Sequence, residues 1–129
     1  MNTLLIIHSA VRWAIIVIAV IVIIKFTLAL VTNAPFKGMD RGLSSGYSGL
    51  MDLQVLIGLT YFIWNGIAVT GFPSFRILHM IVMVLAAALG HVPSRLKSMP
   101  DKPRFQYSLF AIIGSLVLVG VGLSLLPGR

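Results

Sequence analysis

Apolar residues run through this chain in four long blocks, and the polar residues gather between them. The blocks cover about 3–32, 46–69, 74–91 and 106–126. A helix needs roughly 20 apolar residues to cross a bilayer, and each block approaches or exceeds that length. The first contains an unbroken apolar run from Ala14 to Ile24. The pattern predicts an all-α fold: a four-helix transmembrane bundle with short loops, formed as a single domain over 1–129.

The first block can be weighed against a signal peptide. Such a peptide has an apolar core of about 7–15 residues behind a basic start. Here no Lys or Arg precedes Arg12, and Lys25 follows the apolar run, so the block reads as a mature span. Between the blocks, 33–45 is polar with Pro and Gly and reads as a loop. Thr70-Gly71-Phe72-Pro73 reads as a tight turn, with Ser74 as the expected N-cap of the third helix. Pro93 ends that helix. The stretch 93–105 has three prolines and reads as an extended surface strap.

Composition sharpens this picture. Hydrophobic residues make up 58% and charged residues 10%, against about 25% charged in an ordinary soluble domain. The mean hydropathy is +1.02. The loops are too short for an aqueous core of their own. A net charge of +7 raises nucleic acid as a partner. The basic residues flank the apolar blocks, however, which fits anionic lipid headgroups rather than nucleic acid. With no cysteine, disulfides, iron–sulfur clusters, thiolate haem ligation and covalently attached haem are excluded. There is no Glu and there are only three Asp, a sparse supply of groups for a self-contained enzyme.

Orientation follows from Lys and Arg. Lys25, Lys37 and Arg41 surround the first loop, and Arg95, Lys97, Lys102 and Arg104 fill the third. The positive-inside rule places these loops in the cytoplasm and both termini outside. A bacterial inner membrane is the expected location. The expected partners are the lipid bilayer and either other membrane subunits or further copies of the chain.

Titratable residues inside a span are costly and are functional candidates by default. His8 lies on the first block; His79 and His91 lie on the third. His8 and His79 are each about five residues in from the outer end, so at ~1.5 Å per residue they sit at similar depth. Two imidazoles so placed can clamp one metal or haem iron, or can be interfacial histidines satisfied by backbone and water. Arg12 is four residues from His8 and Arg76 three from His79, each on its histidine's face. These guanidinium groups suit haem propionates or lipid phosphate; Arg76 alone can also snorkel to the interface.

Asp52 and His91 form a possible inner polar pair, either the conspicuous intramembrane candidates for proton transfer or a structural pair near the interface; no catalytic residue is assigned. Gln54, two residues from Asp52, faces another direction, and its role is open. His79 and His91 are 12 apart and roughly 120° apart around the helix, so one face does not stack two haems. Small residues mark close approach: Gly58 and Gly66, Ala86 to Ala88 and Gly90, and Gly114, Ser115, Gly120 and Gly122. The fourth helix reads as scaffold. Trp13, Trp64 and Tyr61 toward one side, with Tyr47 and Tyr107 toward the other, read as interfacial belts. Met80 and Met83 near His79 read as core filler or weak ligands.

Three stretches resemble small bacterial four-span membrane proteins often labelled cytochrome b. They are His8-Ser9-Ala10-Val11-Arg12-Trp13, Leu53 through Phe62, and Arg76 through His79 to His91. The resemblance implies a bundle holding b-type haem through histidines. Where the related pattern places a histidine this chain has Asp52, which cannot replace imidazole as a haem ligand. The implied ligands are therefore His8 and His79.

Two functions are expected on these grounds. One is a membrane electron-transfer protein with haem b between the first and third helices, exchanging electrons with quinol or a larger respiratory or photosynthetic complex. The other is an accessory subunit of such a complex with no cofactor of its own. A quinone pocket is compatible with either.

Overall fold

The computed structural model describes residues 2–127. Four helices account for nearly all of them: α1 (Asn2–Thr32), α2 (Gly38–Asn65), α3 (Ser74–Gly90) and α4 (Asp101–Ser124). Among the described residues there is no strand. Neighbours pack in the ring α1–α2–α3–α4, closed by α4 against α1. One end of the bundle carries the start of α1, the α2–α3 turn and the end of α4. The other, the basic end, carries the α1–α2 and α3–α4 connections. All four helices are long and apolar enough to cross a membrane, as in a multi-pass membrane protein. Their outward faces stay apolar, with Val17, Leu28, Leu56, Val84, Phe110 and Val117 all exposed. A helix apolar all round belongs in lipid or in a large core.

The packed core fills the basic half. On α1 it is built from Ile15, Ala19, Val22, Phe26 and Ala29, spaced three and four apart so that they share one stripe. Tyr47 and Met51, Ala86 and Ala87, and Phe105, Leu109 and Ile112 close on that stripe from α2, α3 and α4. Phe26, Phe36 and Phe105 meet ring to ring at 4.9–5.9 Å between centroids.

Two helices begin earlier than the apolar pattern predicts. The expected loop 33–45 shortens to a few residues because α2 starts at Gly38. Asp40 accepts a hydrogen bond from the Lys37 backbone N–H at 2.9 Å, satisfying a donor that a helix start leaves orphaned. Its other carboxylate oxygen takes the Lys25 ammonium of α1. The buried face of this first stretch is Asp40, Ser44, Tyr47 and Ser48, a polar stripe that a search for apolar periodicity passes over. The expected extended strap after Pro93 is instead a 3₁₀ turn (Val92–Arg95) and a short link into α4. Pro103 falls in the first turn of α4, where a missing N–H costs nothing, and Asp101 opens the helix with the favourable sign for its dipole.

Two smaller expectations also change. Pro73, not Ser74, occupies the N-cap of α3, and no side chain caps that end. Tyr47 is not an interfacial residue: it is fully buried, and its hydroxyl meets Ser115 Oγ at 2.7 Å. Trp13, Trp64 and Tyr107 do lie exposed on the outside.

Candidate functional site

Toward the end opposite the basic loops the four helices no longer meet at the centre. They surround a cavity of about 570 Å³, mostly apolar, with walls from every helix. That volume is in the range of small-molecule and cofactor sites. His8, Arg12, Arg76 and His79 all line it. Four residues from two distant stretches of sequence are thus gathered around one space. Asp52 and His91 are not part of it.

His79 is held by a helix end. The carbonyl groups of a helix's last turn lack their usual partners. In α4 the Gly122 carbonyl accepts a hydrogen bond from His79 Nδ1 at 2.7 Å. Glycine at 122 brings that backbone close: a Cβ there would lie 3.5 Å from His79 Nδ1 and would overlap the tip of Met83. Because Nδ1 donates to a carbonyl, Nε2 carries the ring's lone pair. Among the described residues, no hydrogen bond to that Nε2 is formed.

His8 is held differently. Gln54 reaches across from α2, and its amide nitrogen donates to the His8 backbone carbonyl at 2.8 Å. The same nitrogen lies 3.3 Å from His8 Nδ1. On its other edge the ring rests on α2 at Gly58, where a Cβ would come 3.1 Å from Nε2. Gln54 is buried, and its Oε1 is an acceptor with no hydrogen-bond donor among the described residues. Sequence reasoning left the role of Gln54 open. Its signal was its place one α-helical turn from Gly58 and inside an apolar block.

The two arginines are anchored beside the cavity. Arg12 reaches Ser9 Oγ at 3.4 Å and lies 5.5 Å from the Trp13 ring centre. Arg76 donates to Asn65 Oδ1 at 2.6 Å and lies 5.9 Å from the Tyr61 ring. Asn65 sits where α2 loosens into a π-helical turn, Gly66–Thr70, closed by a bond from the Gly71 N–H to the Gly66 carbonyl. Such π turns often occur at functional sites. Here the wider turn lets the Thr70 hydroxyl reach Asn65 Oδ1 at 3.0 Å as well. Gly71 then takes φ of +69°, a conformation that favours glycine. Phe72 folds back on Gly66, where any Cβ would strike its ring. The turn therefore fixes the guanidinium of Arg76.

Asp52 and His91 meet elsewhere, on the outer surface between α2 and α3 at the basic end. His91 Nε2 donates to Asp52 at 2.8 and 2.9 Å to its two oxygens, and both side chains are about half exposed. Below the cavity toward this end, Tyr47, Met51 and Ala86 are packed into the buried core. Among the described residues no group of three or more His, Cys, Asp or Glu side chains is placed to hold a bare metal ion. No protein-family model, curated protein or solved structure matches this chain.

Proposed function

We propose that the cavity holds one non-covalent b-type haem and that the protein carries electrons within the membrane. The observation behind this reading is His79: its Nδ1 is committed to the Gly122 carbonyl, which leaves Nε2 free to ligate from a cavity wall. A hydrogen bond of this kind from the far ring nitrogen fixes ring orientation and raises the basicity of the ligating nitrogen.

The surrounding residues fit the same group. The cavity volume and apolar walls suit a macrocycle. Glycines at 58 and 122 let His8 and the His79–Met83 pair lie close against backbone. Arg12 and Arg76 supply cations for two propionates, and the Asn65 clamp keeps Arg76 from turning away. When bound, haem would supply a reversible one-electron couple whose potential is set by ligation and burial. The chain's own residues bind the group, orient it, keep water out and set the local charge.

On this reading the basic loops face the cytoplasm of a bacterial cell and the haem lies nearer the outer leaflet. Electrons would pass to or from a quinol or an adjoining subunit of a respiratory or photosynthetic complex. The test is an absorption spectrum of the protein purified from haem-replete membranes, oxidised and then reduced with dithionite. A sharp reduced α-band at about one haem per chain supports the proposal. A folded, colourless protein that takes up no added haem overturns it and leaves an accessory subunit.

A further inference from the structure

The two cavity histidines present opposite chemistry. Gln54 decides this. Its amide nitrogen is fixed on the His8 side by the 2.8 Å bond to the His8 carbonyl. The second hydrogen of that amide is therefore available to His8 Nδ1, 3.3 Å away. Two N–H groups cannot face each other at that distance, so Nδ1 must be the bare nitrogen and Nε2 the protonated one. An Nε2–H has no lone pair for iron. To ligate through Nε2, His8 would have to move its proton to Nδ1, against the Gln54 amide, and turn Nε2 away from Gly58, where an added Cβ would come 3.1 Å from it. His79 is the reverse case: Nδ1 donates to Gly122 and Nε2 holds the lone pair.

From this asymmetry we infer that His79 is the single axial histidine and that His8 is a polar wall residue. The second axial position is then open to a small diatomic ligand. The inference rests on the haem proposal above and deepens it, since an open position gives the protein a ligand-binding capacity that an electron carrier with two histidine ligands lacks. Gln54 acts through His8 as a positioning residue. Its buried, unpartnered Oε1 is the further acceptor on that wall.

Three measurements test this. Nitrogen-15 NMR of the haem-free protein should show His8 protonated on Nε2 and His79 protonated on Nδ1. The haem-loaded ferric protein should be high-spin by electron paramagnetic resonance. On reduction it should bind carbon monoxide, with a shifted Soret band. His8→Ala should keep the high-spin spectrum, His79→Ala should lose the axial histidine signature, and Gln54→Leu should raise the low-spin fraction by releasing His8. A low-spin ferric spectrum that His8→Ala converts to high-spin overturns the inference but leaves the haem reading standing. Absence of any Soret change on titration with haem overturns both, and is distinguished because no coordination state is then seen.

Discussion

Lys25 and Asp40 form an ion pair between the end of α1 and the start of α2, and the two partners differ sharply in access to water. Asp40 is 1% exposed, whereas the Lys25 side chain is 35% exposed. Removing either partner therefore strands a different kind of charge. Lys25→Met leaves a carboxylate that cannot reach water, held only by the Lys37 N–H. Asp40→Asn leaves an ammonium that can turn outward. Breaking a fully buried pair costs about 3–5 kcal/mol. Lys25→Met should approach that range, and Asp40→Asn should fall below it, at about 1–2 kcal/mol including the weakened cap. Thermal unfolding in one detergent checks the order; equal losses would contradict it.

The Tyr47 hydroxyl sets up a second ordered comparison. Ser115 Oγ donates to the Ala86 carbonyl at 2.7 Å, so Tyr47 must be the donor in its 2.7 Å bond to Ser115. This chain links α2, α4 and α3 inside the core. Tyr47→Phe removes a donor and leaves Ser115 with its own acceptor, a loss of about 0.5–1.5 kcal/mol. Ser115→Ala strands the buried phenol and should cost more, about 1–3 kcal/mol. The same unfolding assay reads both, and the reverse order would show that Tyr47 finds another partner.

Asp52 and His91 should matter far less to stability. Both side chains are about half exposed, and exposed pairs contribute about 0–1 kcal/mol. Asp52→Asn should lower stability by no more than that and leave the spectrum of any bound haem unchanged, because neither residue lines the cavity. A changed spectrum would place the pair in contact with the cofactor.

The chain has no cysteine, so single engineered cysteines report topology cleanly. Gly38 and Ser98 lie in or beside the two connections at the basic end. If the positive-inside rule holds, Gly38→Cys and Ser98→Cys should both be protected from an impermeant maleimide in intact cells and react after permeabilisation. Reaction of both from outside would invert the bundle.

The sequence made the four helices legible because lipid demands long apolar runs, and that signal survives without any alignment. It placed His8 and His79 at similar depth, with Arg12 and Arg76 one turn away on the same faces, and all four line one cavity. It missed what polar residues do inside helices. Asp40, Ser44 and Tyr47 build a buried polar face, which hydropathy reads as loop and belt. Gln54 was visible but its partner was not, because its bond is to the backbone of a residue 46 positions away. The Gly122 carbonyl was invisible for the same reason: a backbone acceptor at a helix end, which here also takes the Leu125 N–H, has no side-chain signature.

Glycine substitutions separate the cavity wall from the lipid face. At Gly120 an added Cβ meets nothing within 4 Å. Gly120→Ala should therefore hold or raise stability, by up to about 1 kcal/mol from helix propensity. At Gly58 the added Cβ lies 3.1 Å from His8 Nε2 and 3.4 Å from its Cδ2. The imidazole must give way by a few tenths of an ångström. Its backbone is tied to Gln54 through the His8 carbonyl, so the ring turns rather than the helix, and the 3.3 Å approach of Nδ1 to the Gln54 amide is lost first. Gly58→Ala should thus change the His8 ring-nitrogen resonances and leave those of His79 in place, with helix content by circular dichroism unaltered. The His79 resonances should hold because its own support comes from α4. If Gly58→Ala leaves the His8 resonances untouched, the ring does not rest on α2, and the asymmetry between the two histidines loses its structural cause.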